Sequence, residues 1–239
     1  MMKIKIINPV PDLDAAVVDG MRTYLSASLD PGTEIEFEPV AKGFRSIETE
    51  AQGVINGGEI LRLVVKAQSE DCDGIFINCF DDPALLGARE LSQKPVLGPY
   101  SASVLFASML SERIGIITTD DYGLSCEARK ARHYQFEERI AAVEKVDMTV
   151  LDLREGDLIE RLTACCQRLE EQRIYAVILG CTGMNFAADQ LRTALKKARC
   201  QVQVVEPLQT GVKALELLVK MGYTNSIHST AVRMEDYVE

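Results

Sequence analysis

The sequence predicts an α/β protein of two pseudo-symmetric lobes, each a four-stranded parallel sheet flanked by helices, with the functional site in the cleft between them. Three observations predict it. Short apolar runs alternate with longer helical patterns from end to end, as βα units do. There are eight such runs, in two sets of four. The corresponding strands of each set are also followed by comparable segments: Asn8-Pro9 and Thr118-Thr119-Asp120 follow the first strands, and Cys79 and Cys181 follow the third. In open parallel sheets a ligand binds beyond the carboxyl ends of the strands, so facing lobes would aim both thiols into one cleft.

The elements follow in order. Met-Met-Lys-Ile-Lys-Ile-Ile-Asn-Pro alternates charge with branched apolar residues and meets Pro9 too soon for a signal-peptide core, so it reads as a first strand over residues 4–7. Further strands are predicted over 35–40, 74–77, 95–97, 114–118, 148–151, 176–179 and 202–205. Helices are expected over 14–28, 53–67, 83–91, 101–110, 123–131, 157–171, 185–197 and 211–221. In the second helix Ile60, Leu61, Val64, Val65 and Ala67 form an apolar face at helical spacing. The expected division puts 1–98 with 207–239 in one lobe and 99–206 in the other. Residues 223–239 are polar and short of core residues, as suits a surface strap or a fraying end.

Composition narrows the function. A formal charge of -10 with Lys and Arg scattered leaves no basic stripe for nucleic acid and no attraction to an anionic membrane surface. No run of about 18 apolar residues offers a membrane span. Seven cysteines, an odd number without CxxC pairs, suit neither a disulfide framework nor a zinc site, and point to free thiols in the cytoplasm. Cys72, Cys126, Cys165, Cys166 and Cys200 read as small buried hydrophobes. His133 and His228, the two histidines, read as surface or packing residues. Neither a GxxxxGK[ST] loop nor a GxGxxG turn after a strand is found, so the nucleotide cradles are missing.

Cys79 and Cys181 sit differently, each just after a buried strand. Asp82 reads as a cap with Pro83 in the first turn of the next helix, and Thr182 or Asn185 as a cap after Cys181. A helix start would lower a thiol pKa, whereas the carboxylates of Asp81 and Asp82 would raise it. Two thiols on opposite sides of a substrate suit one reaction in particular. One removes a proton from a stereogenic carbon and the other returns one on the opposite face, with no cofactor.

The run Asn78-Cys79-Phe80-Asp81-Asp82-Pro83, with Ala88-Arg89-Glu90-Leu91 and Pro95-Val96-Leu97-Gly98, and the run Leu179-Gly180-Cys181-Thr182-Gly183-Met184 resemble the hydantoin racemase branch of the aspartate/glutamate racemase superfamily. Asn8-Pro9, Gly43-Phe44-Arg45-Ser46-Ile47-Glu48 and Thr118-Thr119 extend the resemblance over nearly the whole chain. It implies a two-lobed racemase free of pyridoxal phosphate and metal, with Cys79 and Cys181 as its two bases. Substrate contacts are implied at Asn8, Phe44, Phe80, Thr118, Thr119, Thr182 and Gly183, and Asp81 beside them is read from the residues as a substrate contact or a helix cap. The chain departs from the pattern at Val10-Pro11, at Asp81 where glycine is usual, and at Thr182, which is closer to the aspartate and glutamate racemases. The expected enzyme is a cytoplasmic homo-oligomer acting on a small molecule, a 5-substituted hydantoin or allantoin. An acidic amino acid racemase, a non-catalytic binding protein and a Cys79–Cys181 redox switch are the alternatives.

Overall fold

Strands apolar on both faces have to be covered by helices on both sides, and this sequence supplies two such sheets. The computed structural model describes residues 1–154 and 156–225. Strands β1 (Met2–Asn8), β2 (Thr33–Pro39), β3 (Gly74–Ile77) and β4 (Val96–Leu97) form a parallel sheet in the order β2-β1-β3-β4. Strands β5 (Ile114–Thr118), β6 (Ile140–Lys145), β7 (Ala176–Leu179) and β8 (Gln203–Val205) form a second in the equivalent order β6-β5-β7-β8. The repeat read from the strand ends is therefore a repeat of chain path.

Helices α1 (Ala15–Ser26), α2 (Glu50–Gln68) and α3 (Leu85–Leu91) belong to the first sheet, and α5 (Asp121–Tyr134), α6 (Leu158–Glu171) and α7 (Ala188–Lys197) to the second. Side-chain alternation along the strands sorts the core. Ile75 and Ile77 of β3 face Ile60, Val64 and Ala67 of α2, while Phe76 between them faces the opposite layer. In β7, Val177 and Leu179 join α6 and α7, and Ile178 faces the other way. Fully burying one such aliphatic side chain contributes about 1.5–3 kcal/mol.

Two helices exchange between the sheets. Helix α4 (Pro99–Ser108) follows β4 but packs Tyr100, Val104 and Ala107 against Ile114, Ile116 and Ile178 of the second sheet. Helix α8 (Pro207–Lys220) follows β8 but packs Leu208, Val212 and Leu215 against Ile4, Ile6 and Phe76 of the first. Both begin with proline, which fits a first helical turn because its missing N–H has no intrahelical partner there.

The structure corrects two local expectations. Residues 148–151 are not a strand; the sixth strand is β6, half-buried at the sheet edge and carrying Glu144 and Lys145. Asp82 does not cap the helix that follows it. Asp82 and Ala84 hold left-handed φ values of 48° and 58°, so α3 starts only at Leu85, without a side-chain cap. The closing segment begins as a surface strap: Thr224 donates to Gln93 O (2.8 Å), and Asn225 bonds Lys94 O and Val96 N beside β4. Its remainder, with His228, lies outside the described residues. No helix among the described residues is long and apolar enough to cross a membrane.

Candidate active site

The carboxyl ends of β1, β3, β5 and β7 open on one cavity of about 260 Å³, far more than the roughly 30 Å³ share of one water. Cys79 lines it from the end of β3 and Cys181 from the end of β7, both half-buried. Asn8, Asp81, Thr118, Thr119, Thr182 and Gly183 line it as well. Phe44 does not. It lies 43 % exposed in a loop that the buried Asn56 amide pins at both Phe44 N and Phe44 O, and its neighbours Arg45, Ser46 and Ile47 reach the cavity instead. Phe80 borders the cavity, but its ring is buried edge-on against Tyr100, with centroids 5.3 Å apart.

The two cysteine segments touch. Thr182 Oγ1 donates to Asn78 O at 3.3 Å, bridging the turns after β7 and β3. Asn78 Nδ2 donates to Asn8 Oδ1 at 2.9 Å, which links the ends of β3 and β1. Asn8 Nδ2 and Asn78 Oδ1 are themselves buried and have no hydrogen-bond partner among the described residues, although both residues border the cavity. Asn78, Glu48, Tyr122 and Asn185 are lining residues that the sequence reading did not select. Asn78 stood next to Cys79 in the motif, so position alone offered a signal. Glu48 closed the Gly43–Glu48 segment of the resemblance, but a distant loop brings it in, so nothing local singled it out.

The turn after β7 is built for close approach. Gly183 N–H donates to Cys181 Sγ at 3.3 Å, and a Cβ at residue 183 would lie 3.3 Å from the same sulfur. At Gly180 a Cβ would lie 2.8 Å from Ile117 O, so only glycine lets the turn pack on β5. Cys181 thus caps the 3-10 helix Thr182–Ala187, the place proposed for Thr182 or Asn185. Cys79 heads no helix. Residues 148–154, misread in part as a strand, form a loop whose Val150, Leu151, Leu153 and Arg154 line the cavity. Val10, Leu13, Val17 and Met21 add apolar surface.

Burial governs both thiols. It raises the Cys79 pKa well above the ordinary value; the Asp81 carboxylate adds to this, while the Asp81 backbone N–H and Lys130 oppose it. Cys181 is pushed up to about 11, first by burial, with the Gly183 N–H pulling the other way and Asp81 and Glu48 raising it. At Cys181 burial outweighs the influence of the helix start, and at Cys79 no helix starts to exert one. A thiol held neutral is a proton donor, and once ionised it is a correspondingly strong base. The fixed charges on the cavity wall are Glu48 and Asp81 inside and Arg45 and Arg154 at exposed positions.

Known proteins share the sequence pattern and the fold. The Asp/Glu/hydantoin racemase family model matches residues 6–215. A hydantoin racemase of Pseudomonas sp. (strain NS671) is 31% identical over 94% of this chain and 89% of its own length. One from Rhizobium meliloti is 30% identical over 94% of this chain and 92% of its own. Among solved structures, an allantoin racemase from Klebsiella pneumoniae superposes with a TM-score of 0.86 at 32% identity, covering 96% of this chain and 92% of that one.

Proposed function

This chain belongs to the Asp/Glu/hydantoin racemase family and is an isomerase of the racemase type, and on that premise we propose that it racemises 5-substituted hydantoins, allantoin among them, by proton transfer between Cys79 and Cys181. The observation that carries the reading is that both thiols line one cavity from equivalent strand ends. One sulfur, as thiolate, takes the C5 proton; the other, as thiol, delivers a proton to the opposite face. The S–H bond formed on one side and the S–H bond broken on the other balance, and the roles exchange for the other enantiomer. No cofactor takes part in this scheme.

The polar wall favours a neutral ring over an acidic amino acid. Two substrate carboxylates would meet Glu48 and Asp81 inside the cavity, where like charges are costly, while the arginines Arg45 and Arg154 stand at exposed positions. Apolar residues from α1 and from 148–154 suit a ring substituent. Thr118, Thr119, Thr182 and Gly183 are the further contacts proposed. Seven free cysteines suit a reducing cytoplasm, and a homo-oligomer is the common state of soluble enzymes.

The test is deuterium uptake in heavy water from enantiopure 5-substituted hydantoins, allantoin, aspartate and glutamate. Uptake at C5 above the buffer rate is expected for the ring substrates. Cys79→Ser and Cys181→Ser should each lower racemisation by about 10²–10⁴-fold. Full racemisation by either variant would remove the two-thiol scheme, and uptake by the amino acids alone would overturn the substrate.

A further inference from the structure

Lys130, on α5, is a charged side chain only 7% exposed, and its contacts account for its position. Nζ bonds Asp81 Oδ1 at 3.0 Å, Phe80 O at 3.0 Å and Glu127 Oε1 at 2.8 Å. It lies 4.4 Å from the Phe80 ring centroid and 4.6 Å from that of Tyr100, so aromatic faces complete its shell. Burial disfavours the ammonium, yet Glu127 and Asp81 hold its pKa well above the ordinary lysine value. Phe80 and Asp81 directly follow Cys79. A single side chain of the second lobe's α5 thus fastens the turn that carries a first-lobe thiol.

The charges around this turn come from several elements. On α5, Cys126 donates to Asp81 at 3.4 Å and Tyr134 donates to Asp82 at 3.1 Å. From α4, Tyr100 N donates to Asp82, and from α3, Arg89 acts on the same carboxyl. Across the cavity stand Cys181 and Glu48. The same ammonium, Lys130, favours the ionised form of both Cys79 and Cys181. Each sulfur also has a backbone N–H two residues on, Asp81 for Cys79 and Gly183 for Cys181, so what sets the Cys79 turn apart is its direct bonding to Lys130.

We propose that Lys130 is the positioning residue of the Cys79 site, fixing the Phe80–Asp81 turn and offsetting the Asp81 carboxylate so that a thiolate can form at Cys79 inside the cavity. Its catalytic consequence rests on the two-thiol reading, but the geometry and the thiol chemistry do not. Lys130→Met leaves Asp81 unbalanced beside the sulfur, which makes the thiolate rarer. Glu127→Gln frees Lys130 from a competing carboxylate, which makes it commoner.

The experiment follows iodoacetamide alkylation of Cys79 by peptide mass spectrometry between about pH 7 and pH 10 in the full-length protein. Near pH 8, Lys130→Met should alkylate about tenfold more slowly than the parent, the effect of roughly one pH unit in thiol ionisation. Glu127→Gln should alkylate severalfold faster, and Lys130→Arg should stay within about threefold of the parent because the charge is kept. A loosened fold would expose the thiol and speed every variant, so opposite signs for Lys130→Met and Glu127→Gln are diagnostic. Equal rates, or shifts of the same sign, would overturn the proposal. If the alkylation shifts appear while no variant or parent racemises a hydantoin, the substrate reading fails and the role of Lys130 stands.

Discussion

Replacing Asp82 by Asn should stabilise the protein, and by more as pH rises. Asp82 is 7% exposed, accepts from Tyr134 Oη (3.1 Å) and Tyr100 N (3.4 Å), and is pushed up to about 7 from 3.8 by burial, with Lys130, the two hydrogen bonds and Arg89 opposing. The folded pKa is raised for an acid, so the folded state holds its proton longer than the unfolded chain does. Stability from this group is then intact below about pH 4 and falls as pH climbs toward 7, where the folded carboxyl also ionises. Relative to a side chain that never ionises, the penalty is roughly 2 kcal/mol at pH 5 and roughly 4 kcal/mol at pH 8. Asn has the same shape and escapes it, keeping an acceptor for Tyr100 N while its amide donates to the tyrosine oxygen. Urea unfolding of parent and variant, followed by circular dichroism, should show the variant's advantage growing between these two pH values by about 1 M in midpoint. An advantage that is flat with pH, or that shrinks as pH rises, would refute the reasoning.

The thiols give a second pH signature. With Cys79 held well above the ordinary value and Cys181 near 11, kcat/KM for hydantoin racemisation should climb about tenfold per pH unit between pH 6 and pH 8; a plateau across that range would contradict burial as the governing influence. Gly211→Ala on α8 should cost about 1–3 kcal/mol, because its Cβ would lie 2.5 Å from Phe76 Cε2 in the core beneath β3. Calorimetry checks this, and an unchanged Tm would show that Phe76 yields freely.

Much of this architecture was legible because the inner strands are apolar on both faces. β3, β5 and β7 were read to the residue, since 74–77, 114–118 and 176–179 are buried from end to end. The edge strand was not. Ile140–Lys145 is half-buried and carries charge, so its pattern is faint, whereas the apolar residues near 148–151 face a cavity and imitate a strand. Sequence reads apolarity but not what it is turned toward. Asp82 failed for another reason: Asp-Pro looks like a helix start, yet the carboxyl serves the first turn of α4, the helix that follows the neighbouring strand β4. The cysteines themselves were found from strand ends alone, while Glu48 and Lys130 reach them only through tertiary packing.

The repeated strand order has a thermodynamic meaning if the two thiols exchange a proton through one carbon. Mirror-image molecules have equal free energies, so the equilibrium between them is one to one and the specificity constants in the two directions must be equal. The halves are not chemically alike: the turn after Cys79 is bonded to a buried ammonium, whereas the turn after Cys181 runs straight into a 3-10 helix. Such differences decide which antipode is held more tightly and which is turned over faster, but those two effects must cancel in the ratio. A chain path used twice gives both hands of a substrate nearly the same surroundings from the outset, leaving only that small residue of asymmetry to be distributed.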